Sequence, residues 1–244
     1  MNADQEQTID WSKKYLASQN YQTIGPGEII VETPWSYVLR FPTNQGQVYL
    51  KKTPPSLFFE AAVTELFQKE GHLPVPEVIA INAELHCFLT KACGDMSLRT
   101  YFNGQLNIDV LSQGLKVYRN LQQFSQTQID ALIKIGVPDW RLSVFTKKYE
   151  ALLTEQDLLQ HDAVSPEQIE TLHRLKPKLE SLCDELSRYS IPETWNHSDF
   201  HDNNMLIDTK TNVVSIIDLG ESSISHPFFS LAACLKNAQT HYQL

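Results

Sequence analysis

The chain has 244 residues, 42% of them hydrophobic and 20% charged, which is enough apolar material for two modest lobes and unlike a disordered or low-complexity composition. Its formal charge of −9 speaks against a nucleic-acid partner, which demands a basic face, and no apolar run is long enough to cross a bilayer. Met1-Asn2-Ala3-Asp4-Gln5 carries neither a basic nor an apolar leader pattern, and Cys87, Cys93, Cys183 and Cys234 show no C-x-x-C spacing, so the expectation is a cytoplasmic protein with reduced thiols.

Along the chain, Glu28 to Glu32, Tyr37 to Phe41 and Gln47 to Lys51 are rich in Val, Ile, Leu and Tyr and are predicted as strands. Thr33-Pro34-Trp35-Ser36 and Pro42-Thr43-Asn44-Gln45-Gly46 separate them. Alternation in the last strand puts Tyr49 and Lys51 on one face and Val48, Leu50 and Lys52 on the other, so only one of the adjacent lysines can enter a cleft. Pro54-Pro55-Ser56 precedes a helix predicted from about Leu57 to Lys69, with Phe59, Val63, Leu66 and Phe67 as its apolar stripe and Gly71 ending it. Glu60 falls on the edge of that stripe, an expensive place for a carboxylate unless it is paired; Lys51 is the candidate partner.

Leu73-Pro74-Val75-Pro76 leads into a further strand pair, Val78-Ile79-Ala80 and Cys87-Phe88-Leu89-Thr90, followed by Lys91-Ala92-Cys93-Gly94. Helical spacing then recurs over about Ile108 to Ser125 (Ile108, Leu111, Leu115, Tyr118, Leu121) and through Leu142, Phe145, Tyr149, Leu152 and Leu153. Ser165-Pro166-Glu167-Gln168 opens a third helix, carrying Ile169, Leu172, Leu175, Leu179, Leu182 and Leu186, which Pro177 is expected to bend. All three stripes read as core.

The most informative stretch follows. His197-Ser198-Asp199-Phe200-His201-Asp202-Asn203-Asn204 reads as H-x-D-x-x-x-x-N, and Asp218-Leu219-Gly220 as D-x-G. Phosphoryl transfer from a nucleotide needs a carboxylate to take the proton of an attacking hydroxyl, and an amide and a second carboxylate to hold magnesium. Between the motifs, Met205-Leu206-Ile207 and Val213-Val214-Ser215-Ile216-Ile217 read as strands joined by the turn-rich Asp208-Thr209-Lys210-Thr211-Asn212. Such a hairpin sets Asn204 beside Asp218, with Asp199 just before them.

This block resembles the aminoglycoside phosphotransferase and choline kinase group, small-molecule kinases related in fold to protein kinases; Ser198 is the small residue they have where protein kinases carry Arg. The resemblance implies an α+β bilobal protein-kinase-like fold, with an antiparallel sheet lobe over residues 1–90, a hinge at 91–95 and a mainly helical lobe over 96–244. It implies ATP or GTP as donor, Mg²⁺ as cofactor and a small-molecule hydroxyl as acceptor, with no nucleic-acid or membrane partner. Asp199 is then the base and Asn204 and Asp218 the metal ligands. Lys51, in Val48-Tyr49-Leu50-Lys51, contacts the phosphates, with Lys52 the alternative if the register slips, and Glu60 positions the lysine. Ser36, through its hydroxyl or its N–H, is the phosphate candidate in a turn without glycine, with an ordinary turn serine as the alternative. Val38, Leu206 and Ile217 are candidates to sandwich the base, and His197 is expected to bond the backbone near Asp218.

Two departures stand out. Relatives usually continue for several helices beyond the metal-binding Asp, whereas this sequence ends at Leu244, so a truncated or unusually short protein is expected, at the expense of the acceptor pocket. Ser230 stands about where relatives carry a bracing Asp, and His201 and Asp202 are candidates to compensate. Two rivals accompany the kinase reading: a metal-dependent hydrolase using His197, Asp199, His201 and Asp202, and a degenerate kinase fold that holds nucleotide without turnover. A negative chain is compatible with a cationic acceptor, an aminoglycoside or an amino alcohol, but fold analogy alone does not choose among acceptors.

Overall fold

The computed structural model describes residues 3–242; lobe limits drawn at residues 1 and 244, and Met1 and Asn2 of the leader reading, lie outside them. The described chain opens with a helix that the sequence reading did not foresee, α1 (Ala3–Ser18). Its inner face is Thr8, Ser12 and Leu16, a stripe at helical spacing in which two of the three members are polar. The hydroxyls of Thr8 and Ser12 donate to the carbonyls of Asp4 and Thr8, each at 2.8 Å, which lets hydroxyl groups stand in a buried face at little cost.

Three strands follow, β1 (Glu28–Thr33), β2 (Ser36–Thr43) and β3 (Gly46–Lys52). Next come α2 (Phe59–Lys69), β4 (Val78–Asn82) and β5 (Cys87–Lys91). The strands form one antiparallel sheet in the order β1-β2-β3-β5-β4. Alternation holds along β3: Val48 and Leu50 are buried against Leu16 of α1, whereas Tyr49 and Lys51 line the opposite, concave face. Lys52 points to the α1 side, donating to the Leu85 carbonyl at 2.6 Å and pairing with Asp4 at 3.1 Å. The register that puts Lys51 in the cleft is therefore the one adopted.

The sheet ends at Lys91, and β6 (Met96–Ser97) begins the second half of the molecule. There α3 (Leu98–Phe102), α4 (Ile108–Ser125) and α5 (Ile129–Ile135) are followed by α6 (Leu142–Thr154), α7 (Gln156–His161) and α8 (Pro166–Ser187). The chain returns through β7 (Thr194–His197), β8 (Met205–Asp208), β9 (Val213–Ile216) and β10 (Ser222–Ser225) to α9 (Phe229–Tyr242). The capping box at Ser165 and Gln168 forms as its spacing predicts.

A single core joins α4, α5 and the β7–β9 region to α2, whose Phe67 meets the Trp195 ring edge-on at 5.1 Å between centroids. The helix carrying Glu60 is thus seated on the core of the second half while its charged edge faces the sheet. The stripe of α8 is a correction. None of its residues is buried, and Leu175 and Leu182 are about half exposed. It packs on α6, which buries only Leu153, because a two-helix hairpin has too little partner surface to cover both apolar faces. Pro177 lies inside α8 without ending it, and Ile108, at the first turn of α4, is exposed.

Candidate active site

Between the sheet and the helical half lies a cleft of about 470 Å³, within the usual range for small-ligand sites. Its wall includes Ser36, Val38, Lys51, Glu60, Asp199, Asn204, Leu206, Ile217 and Asp218. Every residue predicted to touch nucleotide, metal or acceptor is thus in one cavity, and His197 is buried directly behind it.

Local structure explains the convergence. Antiparallel pairing of Met205 with Ile216 and of Asp208 with Val213 closes the hairpin, and Asp208 caps its turn by accepting from the N–H groups of Lys210 and Thr211 at 2.9 and 3.0 Å. The chain leaves β9 and reaches Asp218 with φ of +64°, a left-handed conformation that costs a non-glycine residue roughly 1–3 kcal/mol and turns the carboxylate toward the cleft. Asn204, in the short 3-10 turn Asp202–Asn204, donates from Nδ2 to the Asp199 carbonyl at 2.9 Å and to Asp199 Oδ2 at 3.2 Å. His201 Nδ1 accepts from the Asn203 N–H at 3.2 Å, so the ring proton sits on Nε2, 3.2 Å from Asp199 Oδ2. Asn204 Nδ2 thereby orients the Asp199 carboxylate, with the His201 ring alongside it.

Lys51 Nζ lies 2.7 Å from Glu60 Oε1 and 2.5 Å from Asp218 Oδ1. Burial works against its ammonium, but the two carboxylates prevail and hold its pKa above the ordinary lysine range. Burial likewise disfavours the Asp218 carboxylate, and Lys51 overrides it, so Asp218 titrates below the usual range. Glu60 is the more deeply buried carboxylate, 3% exposed; burial raises its pKa further than Lys51 and the Leu219 N–H, which donates to Oε1 at 3.1 Å, pull it down. The pair expected from the apolar stripe of α2 thus forms, with Asp218 as a third member that spacing along α2 could not show.

Gly220 leaves room for this arrangement, since a Cβ there would stand 2.9 Å from Glu60 Oε2. Gly220→Ala is expected to destabilise the fold by about 1–3 kcal/mol, read from urea midpoints. An unchanged midpoint would mean that Glu60 swings free of Lys51 at little cost.

Burial lowers the pKa of His197, and its Nε2 donates to the Ile217 carbonyl at 3.0 Å. It is a neutral prop for the strand end before Asp218. The hydrolase cluster does not assemble: His197 Nε2 is engaged by that carbonyl and Asp202 by Arg99. Among the described residues, no group of three or more His, Cys, Asp and Glu is placed to hold a metal ion. At Ser36 the N–H is bound to Thr33 Oγ1 at 3.0 Å, so of the two phosphate candidates only the hydroxyl is available. Ser230, 1% exposed, braces the loop with neutral groups: it donates to Asn196 Oδ1 at 2.8 Å and meets the Tyr118 hydroxyl, which accepts from the His197 N–H at 3.0 Å.

Sequence reading passed over Tyr118 as one more member of the α4 stripe, since periodicity cannot distinguish a phenol used for its hydroxyl from one used for its ring. It also passed over Glu221. That residue lines the cleft, its carbonyl accepts from the Ser198 N–H at 2.7 Å, and burial followed by the nearby Asp199 and Asp218 charges raises its pKa. Its position directly after the D-x-G motif was the available signal. Asp199, Asp218 and Glu221 thus line the cleft together with Lys51, while the other cleft lysine, Lys91, pairs with Glu77 outside. No helix among the described residues is long and apolar enough to cross a membrane.

Comparison with known proteins bears on the family and the fold. Residues 18–243 match the model of a family described as "Phosphotransferase enzyme family". No curated protein matches the sequence. Among solved structures, a choline/ethanolamine kinase family protein from Mesorhizobium loti is 15% identical, with a TM-score of 0.60 over 95% of this chain and 71% of that one. The GDP and kanamycin complex of APH(2")-IIia is 18% identical, with a TM-score of 0.63 over 94% and 78%. Choline kinase LicA from Streptococcus pneumoniae is 15% identical, with a TM-score of 0.63 over 96% and 76%. At such identities the likeness establishes the fold, the α+β protein-kinase-like architecture of these kinases.

Proposed function

Because this chain belongs to the phosphotransferase enzyme family, we propose that it moves the γ-phosphoryl group of ATP or GTP, taken as the magnesium complex, to a hydroxyl of a cationic small molecule such as an amino alcohol or an aminoglycoside. The observation that carries this reading is the gathering of Lys51, Glu60, Asp199, Asn204 and Asp218 in one cleft.

The chemistry of the donor set fits the cofactor. Asn204 spends its Nδ2 on Asp199, so its Oδ1 is available, and Asp218 is held ionised beside Lys51. An amide oxygen and one carboxylate are what Mg²⁺ takes when phosphates complete its shell. When bound, the magnesium nucleotide supplies the transferable group and offsets the charge on its oxygens. Lys51 binds phosphate oxygens and Glu60 fixes its direction. The Ser36 hydroxyl reaches the phosphates from the β1–β2 turn, and Val38, Leu206 and Ile217 enclose the base beside the hinge at residues 91–95. Asp199, aimed by Asn204, accepts the proton of the acceptor hydroxyl. The excess of carboxylates, Glu221 included, supports a cationic acceptor, because a desolvated like charge would be repelled there.

The test is nucleoside diphosphate release across a panel of hydroxylated amines, aminoglycosides and neutral sugars. Turnover with at least one cationic member and little with its neutral analogue is expected. Nucleotide binding without turnover for every member would replace this reading by a nucleotide-holding module, and tightly bound stoichiometric zinc in the purified protein would revive hydrolysis.

A further inference from the structure

The turn that carries Asp199 and Asn204 is anchored from behind by a carboxylate that does not face the cleft. Asp202 begins the 3-10 turn Asp202–Asn204 but is absent from the cleft wall and is 4% exposed. Its Oδ1 accepts from Arg99 Nε at 3.1 Å and Arg99 Nη2 at 2.8 Å, and its Oδ2 accepts from the Tyr242 hydroxyl. Arg99 Nη2 also donates to Asn237 Oδ1 at 2.7 Å. Arg99 lies on α3, whereas Asn237 and Tyr242 lie on α9, where the Tyr242 ring stands edge-on to Phe102 at 5.8 Å. Burial, with the neighbouring carboxylate, raises the Tyr242 pKa above the ordinary tyrosine range, so its hydroxyl remains a donor.

A buried carboxylate is a poor way to gain stability, because its desolvation roughly cancels its pairing and an apolar side chain of the same volume often does as well. Its advantage is direction. Three hydrogen bonds from two sides fix both the place and the rotation of the Asp202 backbone, which apolar contacts would leave free to slide. Asp199 and Asn204 flank this point closely on either side, so fixing Asp202 fixes their separation. The other brace of the loop, through Tyr118, Ser230 and Asn196, is neutral.

We infer that Asp202 is a positioning residue and that Arg99, Asn237 and Tyr242 form with it a strut by which docking of α9 sets the geometry of Asp199 and Asn204. This rests on the reading of those residues as base and metal ligand. The strut gives α9 a second role beyond covering the core: a helix remote in sequence from the catalytic loop becomes part of its support.

The test uses the full chain carrying Tyr242→Phe, which removes one hydroxyl and keeps the ring against Phe102, with Asp202→Asn and the milder Asn237→Ala alongside. Two quantities are read: hydrogen exchange of the amides from residues 199 to 205 in unliganded protein, and the Mg²⁺ concentration that half-saturates ATP binding in calorimetry. Loss of an outer support of this kind is expected to raise the Mg²⁺ requirement about 10-fold and to speed exchange in the turn, with Asn237→Ala the smallest effect and ATP affinity without Mg²⁺ unchanged. A merely structural role would lower the melting temperature and leave both readouts at wild-type values in every variant, and that result overturns the proposal. If wild-type protein binds ATP with no Mg²⁺ dependence, the metal-ligand reading fails; exchange in the turn then decides the strut independently.

Discussion

Replacing Asp199 by Ala lowers turnover by about 10²–10⁴-fold, the range for loss of a positioned general base, while the dissociation constant for magnesium nucleotide changes by less than about 2-fold. The separation of effects follows from geometry. Asp199 is held by Asn204 Nδ2 at 3.2 Å, with His201 Nε2 standing 3.2 Å from the same oxygen, and forms no ion pair with Lys51, which is engaged by Glu60 and Asp218. Removing the carboxylate therefore deletes the proton acceptor and leaves the phosphate-binding ammonium in place. Asp199→Asn keeps both shape and size and still cannot take the proton, so it should lose nearly as much. Transfer at the wild-type rate by either variant would show that the base is another group, with Glu221 the first alternative.

Lys51→Met is expected to remove nucleotide binding and to destabilise the fold by about 3–5 kcal/mol, the cost of stripping the partner from a buried charge. Glu60 would be left 3% exposed with the Leu219 N–H as its remaining donor, and Asp218 would lose the charge that holds it ionised. Uptake of a proton by Glu60 limits the loss, so the double variant Lys51→Met/Glu60→Gln should recover at least about 1 kcal/mol of stability without recovering binding. Urea denaturation and calorimetry separate the two effects. A Lys51→Met protein that unfolds at the wild-type midpoint would show that the ion pair is not coupled to the fold, and one that still binds magnesium nucleotide tightly would show that Lys51 does not contact the phosphates.

Several of these features were legible because their signals are local. The H-x-D-x-x-x-x-N block is a run of polar residues in fixed spacing, and the hairpin between Asn204 and Asp218 is announced by two apolar runs and a turn. Alternation along Val48-Tyr49-Leu50-Lys51 sets Lys51 opposite Leu50, and the partly apolar face around Glu60 announces a paired carboxylate.

Other features were hidden for identifiable reasons. The inner face of α1 contains Thr8 and Ser12, whose hydroxyls satisfy themselves on the helix backbone, so a search for apolar residues at helical spacing passes over it. In α8 the opposite error arises, since a run of leucines at regular spacing reports a face able to be buried without saying whether any surface is present to bury it. At Ser36 both the hydroxyl and the N–H stay open as phosphate donors in the sequence, because the competing Thr33 hydroxyl depends on the turn geometry.

What the amino-acid order determined by itself was therefore the inventory: the H-x-D-x-x-x-x-N and D-x-G groups, the strand and helix that present Lys51 and Glu60, and the family to which they point. Tertiary structure alone decided the partners: Asp218 as the second carboxylate on Lys51, Tyr118 and Ser230 as a neutral brace, and Asp202 tied to Arg99 and Tyr242. Periodicity and spacing are properties of short segments, whereas a hydrogen bond between residues such as 99 and 202 depends on where two distant segments come to rest, which is fixed only when the whole core has packed.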